Sequence, residues 1–321
     1  MSLVGSKLPK KTDFDWWNER AELLKGTQNE IGKKFLRTNR VYEVGPWAIM
    51  KLALLGYYVQ VYTNILGSSG TINYVDLFAG PGINRIKGTD LKIMGSPLLA
   101  ELAPRKHHFT NLILCELDKK NADALKILLP DARVINDDIN AGGLNQLIQL
   151  LESSRGHSLV FADPEGLELH FETLERIFDV TYCDVLINYQ PNAVNRVLGQ
   201  VARNPEMKRS LTDFFGTTDW KNDGDGDQLL DIYCAQIRKF RDNVKAVKVQ
   251  GTRLFHYYII LATRKVKRAG RDLGQEEWLK SFERVKQRVE RTDARQAKTF
   301  LEIVTGSQAT FESEEEFYHM N

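Results

Sequence analysis

Short apolar runs between residues 71 and 190 each stop at a polar or acidic residue, and amphipathic segments follow them. The residues that end the runs are Asp76, Glu116, Asp138, Asp163 and Asn188. The last three intervals between them span 22 to 25 residues, which is the length of one strand plus one helix. The intervening segments carry apolar residues at helical spacing, such as Leu144, Leu147, Ile148 and Leu151. This pattern predicts an α/β fold, a Rossmann-like domain with a mostly parallel sheet flanked by helices.

The N-terminal segment, residues 1–70, has a helical period. Its apolar residues recur near helical spacing up to residue 66, and the glycine- and serine-containing residues 67–70 break the pattern. The apolar span from Trp47 to Leu66 is interrupted by Lys51, Gln60 and Asn64. It therefore predicts a buried helix and not a membrane span. We expect the whole segment to pack on the core.

After Pro191 the pattern loosens into a helical insertion over about 192–243. Strand-like runs return at Ala246–Val249 and Tyr257–Thr263, and their short separation predicts a hairpin at the sheet edge. Beyond Arg264 one helix is expected, followed by an acidic tail, with an apolar face of Trp278, Phe282, Val285 and Val289. We therefore divide the chain into an N-terminal helical segment (1–70), a Rossmann-like domain (71–265) and a C-terminal helix with its tail (266–321).

A Gly-Pro-Gly turn at residues 80–82 follows the first apolar run. A Cβ atom at such a turn blocks the approach of a ligand to the backbone, so glycine there is typical of nucleotide-binding units. Arg85 stands where the third glycine of a dinucleotide-binding GxGxxG turn belongs, which disfavours a tightly held pyrophosphate. S-adenosylmethionine has no phosphate. We expect Gly80 and Gly82 to admit its methionine portion, bordered by Asp76 or Phe78.

Residues 83–95 show no helical stripe, and we expect an inserted loop there, followed by a helix with Ser96 as its N-cap. Without those 13 residues, Gly82 and Glu116 are 21 residues apart. This is close to the usual spacing of about 20 residues between a glycine turn and a ribose-binding acid. Glu116 is therefore expected to accept hydrogen bonds from both ribose hydroxyls. Asp118 is a second candidate for that role, or else a cap of the next helix.

The third apolar run ends in two acids, Asp137 and Asp138. An acid at this place can accept a hydrogen bond from the adenine amino group, with Leu117 and Ile139 packing on the faces of the ring. The sequence favours Asp138 and leaves Asp137 as the alternative, and either residue could simply form a turn.

Asp163 and Asn188 end the next two runs and are expected to face a methyl acceptor. Asp163 is the candidate for orienting the acceptor or taking up its proton. Asn188 would supply an amide, or would only mark the exit of the strand. Residues 162–166 share the first two positions of the Asp-Pro-Pro-aromatic motif of amino-methyltransferases, but Glu165 and Gly166 replace the other two. The sequence contains no Pro-Cys dipeptide, which excludes the usual thiolate mechanism of cytosine C5 methylation.

Charge and cysteine content add limits on partners and metals. A net charge of +2 does not by itself imply a nucleic-acid partner, although residues 264–298 hold twelve Lys or Arg against six Asp or Glu. The three cysteines lack metal-ligand spacing, and residues 223–227 depart from a calcium loop, so no metal is expected. Cysteines of this kind and an N-terminus without an apolar signal core favour a cytoplasmic protein.

Four segments, taken in order, resemble the bacterial three-Cys-motif partner proteins. They are Tyr74–Gly82, Gly95–Leu98, Asp163-Pro164 with Gly166, and Asp184–Asn188. The match runs from about Lys33 to Arg264. The resemblance implies a class I S-adenosylmethionine-dependent methyltransferase fold, whose seven-stranded sheet has an antiparallel last strand. It also implies a three-Cys-motif protein as partner.

We therefore expect a methyltransferase whose acceptor, a nucleic acid or a protein, is not identified by the sequence. The alternative from another class is a binding module that kept the fold but lost turnover. Such a module would use the basic stretch at 264–298 to bind a nucleic acid or a partner protein. A NAD-dependent reductase is a third hypothesis, and Arg85 in place of the third glycine weakens it.

Overall fold

The computed structural model describes residues 13–25, 28–67, 70–103, 105–180, 182–221, 224–251, 255–264 and 275–306. The N-terminal residues 1–12, the basic run at 265–274, the acidic tail from 307 and the side chain of Trp278 lie outside the described part of the chain. The helices are α1 (Asp13–Lys25), α2 (Gln28–Thr38), α3 (Ala48–Leu66), α4 (Ser96–Leu102), α5 (Lys119–Leu128), α6 (Gly142–Ser154), α7 (Phe171–Val180), α8 (Pro191–Leu198), α9 (Pro205–Phe215), α10 (Leu229–Arg238), α11 (Gln275–Arg291) and α12 (Ala294–Thr305). The strands are β1 (Tyr42–Val44), β2 (Ile72–Asp76), β3 (Ile83–Ile86), β4 (Lys92–Met94), β5 (Asn111–Cys115), β6 (Arg133–Ile135), β7 (His157–Ala162), β8 (Tyr182–Tyr189), β9 (Asn243–Gln250) and β10 (His256–Thr263).

A seven-stranded sheet in the order β6-β5-β2-β7-β8-β10-β9 forms the centre of the molecule. The first five strands in this order are parallel, and β10 is antiparallel to both β8 and β9. Numbered along the chain within this sheet, the order is 3-2-1-4-5-7-6. The predicted mostly parallel α/β sheet with an antiparallel last strand is therefore confirmed, and so is the hairpin at the edge.

Helices cover both faces of this sheet. One face packs against α3, α4 and α5, together with α1, α11 and α12. The other face packs against α6, α7, α9 and α10. The apolar stripe predicted on α6 (Leu144, Leu147, Ile148 and Leu151) is buried in the second layer. Burial on both faces explains why β2 has five buried residues in succession and no alternation of polar and apolar positions.

The N- and C-terminal helices are joined through Trp17 on α1. Its indole N–H donates a hydrogen bond of 3.0 Å to Thr292 Oγ1, and its ring lies 5.6 Å from that of Phe300 on α12. Helix α3 buries twelve of its residues beside them, as predicted for the apolar span. None of the described helices is long and apolar enough to cross a membrane.

The expected loop at 83–95 is wrong, because these residues form two short strands. Strand β3 pairs in parallel with β1 and antiparallel with β4, which gives a second, three-stranded sheet. Ile83, Ile86, Ile93 and Met94 are fully buried and hold this small sheet against the core. Gly88, with φ +74°, makes the turn between its last two strands. The purely helical interpretation of residues 1–66 is likewise corrected by β1.

One helix boundary and the number of C-terminal helices also differ from expectation. Gly95, not Ser96, is the N-cap of α4. Ser96 is the first residue of the helix, and its hydroxyl bonds to the Asp76 carboxylate and not to the helix backbone. A helix, α12, follows the predicted C-terminal helix. Its capping box at Asp293 and Gln296 is a sequence signal that the apolar periodicity alone did not reveal.

Candidate functional site

A cavity of about 710 Å³ opens at the carboxyl edge of the parallel strands. Helix α3 and the small sheet form one of its walls through Ala48, Lys51, Leu52, Tyr42, Val44 and Asn84. The structure brings seven of the ten predicted site residues to its lining: Phe78, Gly80, Glu116, Leu117, Asp138, Ile139 and Asp163. Asp76, Gly82 and Asn188 lie outside the lining, buried directly behind it.

The two glycines of the turn after β2 have different surroundings. Gly80 has φ +59°, and a Cβ atom there would have no protein atom within 4 Å, so this residue presents bare backbone to the cavity. Gly82 has φ +85° and faces the opposite way, where a Cβ atom would lie 3.3 Å from Leu125. Its carbonyl accepts a hydrogen bond from Gly95 N at 2.8 Å. Gly82 thus allows the turn to pack closely on α5, while Gly80 lines the cavity.

Asp76 supports this turn from inside the protein. Its carboxylate accepts hydrogen bonds from Tyr74 Oη at 2.9 Å and from Phe78 N at 3.3 Å. Complete burial raises the pKa of Asp76 to about 7, although the hydroxyls of Ser96 and Tyr74 act to lower it. The residue therefore fixes the backbone that lines the cavity and has no surface of its own there.

Glu116 follows β5 and faces the same part of the cavity as Gly80. One carboxylate oxygen accepts a hydrogen bond of 2.7 Å from Asp118 N, and burial raises the pKa of Glu116 above its ordinary value. Asp118 caps α5 by accepting from Asn121 N at 2.9 Å, and it pairs with Arg40 at 3.5 Å. Both acids line the cavity, but Glu116 also accepts a hydrogen bond from the backbone of Gly80, which places it beside the glycine turn, whereas the carboxylate of Asp118 caps α5.

The two candidate acids after β6 also differ in what they bond. The carboxylate of Asp137 uses one oxygen for Asp138 N at 2.8 Å and the other for Gln146 Nε2 at 3.0 Å. Asp138 is exposed and uses one oxygen for Asn140 N at 2.8 Å. Both line the cavity, but only Asp138 keeps a carboxylate oxygen without a protein donor among the described residues. Leu117, 69% exposed, presents an apolar surface at the mouth, and Ile139 is buried beneath it.

Two asparagines that the sequence analysis did not single out organise these loops. Asn136 Nδ2 donates to the carbonyls of Glu116 and Leu117 at 2.8 and 3.0 Å. Asn140 Nδ2 donates to the Glu168 carbonyl at 2.7 Å, and its Oδ1 accepts from His170 N at 2.9 Å. The one signal in the sequence is their position in the loop after a predicted strand, where asparagine side chains often bond to the nearby backbone.

Asp163 lies at the centre of a polar network. Lys51 Nζ from α3 is 2.5 Å from one carboxylate oxygen, and Asn188 Nδ2 donates to the other at 2.7 Å. Asn188 is only 3% exposed, so it reaches the cavity through Asp163. Lys51 was noted in the sequence only as an interruption of an apolar helix, although a lone cation in such a helix needs a carboxylate partner.

The loop after Asp163 is held at both ends. Gln190 Nε2 donates to the Pro164 carbonyl at 2.9 Å, and Gly166 N donates to Glu168 Oε2 at 2.6 Å. Glu165 lines the cavity, and its pKa is raised by burial and by the neighbouring charge of Glu168. Among the described residues, no group of three or more His, Cys, Asp or Glu side chains has the geometry to hold a metal ion.

No protein-family model and no curated protein match this chain. Among solved structures, it is similar to the Legionella pneumophila protein LPL1258 of family DUF519, with 13% identity and a TM-score of 0.43 over 73% of this chain and 90% of that one. It is also similar to Trm1 from Pyrococcus horikoshii in complex with S-adenosyl-L-methionine, with 9% identity and a TM-score of 0.34 over 65% and 55% of the two chains. A third is the plantazolicin methyltransferase BpumL in complex with SAH, with 10% identity and a TM-score of 0.37 over 78% and 97%. At such identities and TM-scores, the similarity carries no information about the ligand or activity of this chain.

Proposed function

We propose that this protein is an S-adenosylmethionine-dependent methyltransferase. The observation that carries the proposal is the meeting of Gly80 and Glu116 in one cavity at the carboxyl edge of a 3-2-1-4-5-7-6 sheet. In open α/β sheets, ligands bind at this edge, where the strand order reverses beside the first strand. Here the reversal falls at β2, whose neighbours are β5 and β7.

The lining fits each part of the cofactor. The bare backbone at Gly80 admits the methionine portion, with Phe78 at its border. The Glu116 carboxylate suits the ribose hydroxyls, and the free carboxylate oxygen of Asp138 suits the adenine amino group. Leu117 provides exposed apolar surface for the ring. When bound, the cofactor supplies a methyl group already activated by its sulfonium, so the protein's task is to position an acceptor near Asp163.

The course of the backbone after Gly80 favours this cofactor over a nicotinamide dinucleotide. Residues 83–86 form β3, so the turn leads into a strand, and the helix start that would bind a pyrophosphate is missing from this part of the described chain. Arg85, at the position of the third glycine, pairs with Glu43 of β1. The reductase hypothesis thus lacks the structural feature on which it depends.

We further propose that the chain belongs to the three-Cys-motif partner proteins of bacteria, on the strength of the sequence segments quoted above. A three-Cys-motif protein would then be its partner. The three cysteines are free and buried, which suits the reducing cytoplasm where we place the protein.

A second candidate function is that of a binding module without turnover. A groove of about 460 Å³ between α1, α3 and α11 is lined by Arg20, Arg284, Arg288 and Arg291. Arginine side chains grouped in this way are typical of sites that contact nucleic-acid phosphates. Arg288 and Arg291 pair with Asp13, and Glu19 also lines the groove, so a phosphate would compete with these carboxylates. A salt-dependent affinity for RNA or DNA without any methyl transfer would favour this function.

The test is transfer of a labelled methyl group from S-adenosylmethionine to cell extract by purified protein. Digestion of the labelled extract with nuclease or with protease then identifies the class of acceptor. We expect saturable, enzyme-dependent incorporation that Asp163→Asn reduces at least tenfold. Absence of incorporation, with S-adenosylhomocysteine bound normally, would leave the binding module as the better account.

A further inference from the structure

The cavity extends beyond the residues assigned to the cofactor, into a part that we call the acceptor lobe. It is lined by Lys51, Asp163, Glu165, Glu168 and Gln190. Because the cofactor's own contacts are with the residues after β2, β5 and β6, this lobe is the space available to a second substrate. The residues of its lining therefore indicate the chemical class of that substrate.

The acceptor lobe carries an excess of negative charge. Lys51 forms an ion pair with Asp163, so these two charges compensate each other. Neither Glu165 nor Glu168 forms an ion pair with another described residue. The Arg196 guanidinium lies 3.8 Å from the position that a Cβ atom of Gly166 would take, but Arg196 does not line the cavity. The lining itself thus has three carboxylates and one ammonium group, and this excess of negative charge favours a positively charged ligand and disfavours a phosphate.

The titration of Glu165 is consistent with this excess. Its pKa is raised first by burial and then by the neighbouring Glu168. The attraction of a bound cation to the two carboxylates would offset both effects. The raised pKa of Glu165 is therefore consistent with a site for a positively charged ligand.

The Asp163 carboxylate is held in place from two sides. Asn188, buried behind the lining, donates from Nδ2 to one of its oxygens, and Lys51 pairs with the other. Asp163 therefore presents a fixed carboxylate to a ligand in the acceptor lobe.

The backbone around the two glutamates is fixed before any ligand arrives. Gln190 holds the Pro164 carbonyl at 2.9 Å, and Asn140 holds the Glu168 carbonyl at 2.7 Å. Gly166 N orients the Glu168 side chain at 2.6 Å. Such bracing lowers the conformational entropy lost on binding, as expected for a recognition site.

We propose that the methyl acceptor is a cationic amine, an alkylammonium group on a basic peptide or on a free polyamine, recognised by Glu165 and Glu168. This inference rests on the methyltransferase function proposed above. In the reaction the ammonium loses one proton to Asp163 or through it to water. The neutral nitrogen then attacks the methyl carbon, so that a C–N bond forms, the C–S bond breaks and its electron pair stays on sulfur.

The experiment uses the full chain, freed of bound ligand and then saturated with S-adenosylhomocysteine. Calorimetry measures its affinity for N-acetylated tetralysine, for spermidine and for a single-stranded RNA oligonucleotide. The same three compounds are then offered as acceptors with labelled S-adenosylmethionine. We expect one or both amines to bind and to be methylated, and the one that is methylated identifies the source of the amine.

The decisive variant is Glu165→Gln/Glu168→Gln, compared with Glu172→Gln/Glu175→Gln on α7. The control pair makes the same change in net charge at residues that do not line the cavity. We expect the first variant to weaken amine binding about tenfold or more, with the affinity for S-adenosylhomocysteine unchanged, and the control to match the wild type.

Three results would overturn the inference while leaving the methyltransferase function intact. These are normal cofactor binding without amine binding, preferential methylation of the oligonucleotide, or equal amine affinities for the two variants. Failure of the wild-type protein to bind the cofactor is a different result, since it removes the proposed function and this inference with it.

Discussion

At the scale of single residues, Gly80 is the position at which the proposed cofactor site is most sensitive to a side chain. Its φ of +59° and the open space at its Cβ position indicate that a larger side chain would occupy the place of the ligand. We expect Gly80→Val to weaken S-adenosylhomocysteine binding at least tenfold in calorimetry, in addition to a backbone strain of about 1–2 kcal/mol.

The matched control is Gly306→Val at the end of α12. This glycine has a similar φ of +71° and equally open space at its Cβ position, but it does not line the cavity. It should cost comparable stability and leave the affinity unchanged. Equal losses of affinity in both variants would show that Gly80 acts only through strain.

Asp76 gives the protein a pH dependence of stability. Its pKa in the folded state, about 7, is above the unfolded value of 3.8, so the folded state binds the proton more tightly. The resulting stabilisation is complete below about pH 4 and is lost as the pH rises through 7. Asp76→Asn removes this dependence, and Tyr74 and Phe78 keep an isosteric partner.

The measurement is urea unfolding at pH 5 and at pH 8. Between pH 5 and pH 8, the free energy of unfolding of the wild type should fall by about 2–4 kcal/mol more than that of Asp76→Asn. Asp184, whose pKa burial also raises to about 7, remains in both proteins and cancels in the comparison. An identical pH dependence in the two proteins would contradict the raised pKa of Asp76.

The site residues at the strand ends could be predicted because their position follows from the local sequence alone. Glu116 and Asp163 each directly follow a buried strand, and parallel strands bring their carboxyl ends to one edge. Lys51 could not be found in this way. Its contact with Asp163 depends on how α3 packs on the sheet, and nothing in the local sequence encodes that distance.

At the scale of elements, the small sheet shows where the sequence is insufficient. Strands β1 and β3 are three and four residues long, and about 40 residues separate them. Such short strands carry too few alternating positions to be distinguished from a loop, and their pairing is non-local. The consequence is functional, since Tyr42, Val44 and Asn84 of this sheet line the cavity.

The contact of α1 with the C-terminal helices supports a prediction about stability. Trp17 is 2% exposed and bonds to Thr292, so Trp17→Ala should lower the free energy of unfolding by about 3–5 kcal/mol. Leu36→Ala, at a side chain that is 81% exposed, should change it by less than about 0.5 kcal/mol. Chemical denaturation measures both. A small loss for Trp17→Ala would mean that the two ends of the chain do not stabilise each other.

At the scale of the whole molecule, the sheet and the position of its cavity follow from the spacing of apolar runs. The same spacing does not predict that α1, α11 and α12 share one face of the sheet with α3. That arrangement depends on contacts between residues nearly 300 positions apart, such as Trp17 with Phe300. Local periodicity identifies an amphipathic helix but not its partner.

The most direct test of the central claim is a calorimetric titration of the ligand-free protein with S-adenosylmethionine, S-adenosylhomocysteine and NAD. We expect saturable binding of the first two at one site per chain, lost or strongly weakened in Gly80→Val, and no binding of NAD. Binding of NAD in their place, or no saturable binding of either sulfur compound, would contradict this claim.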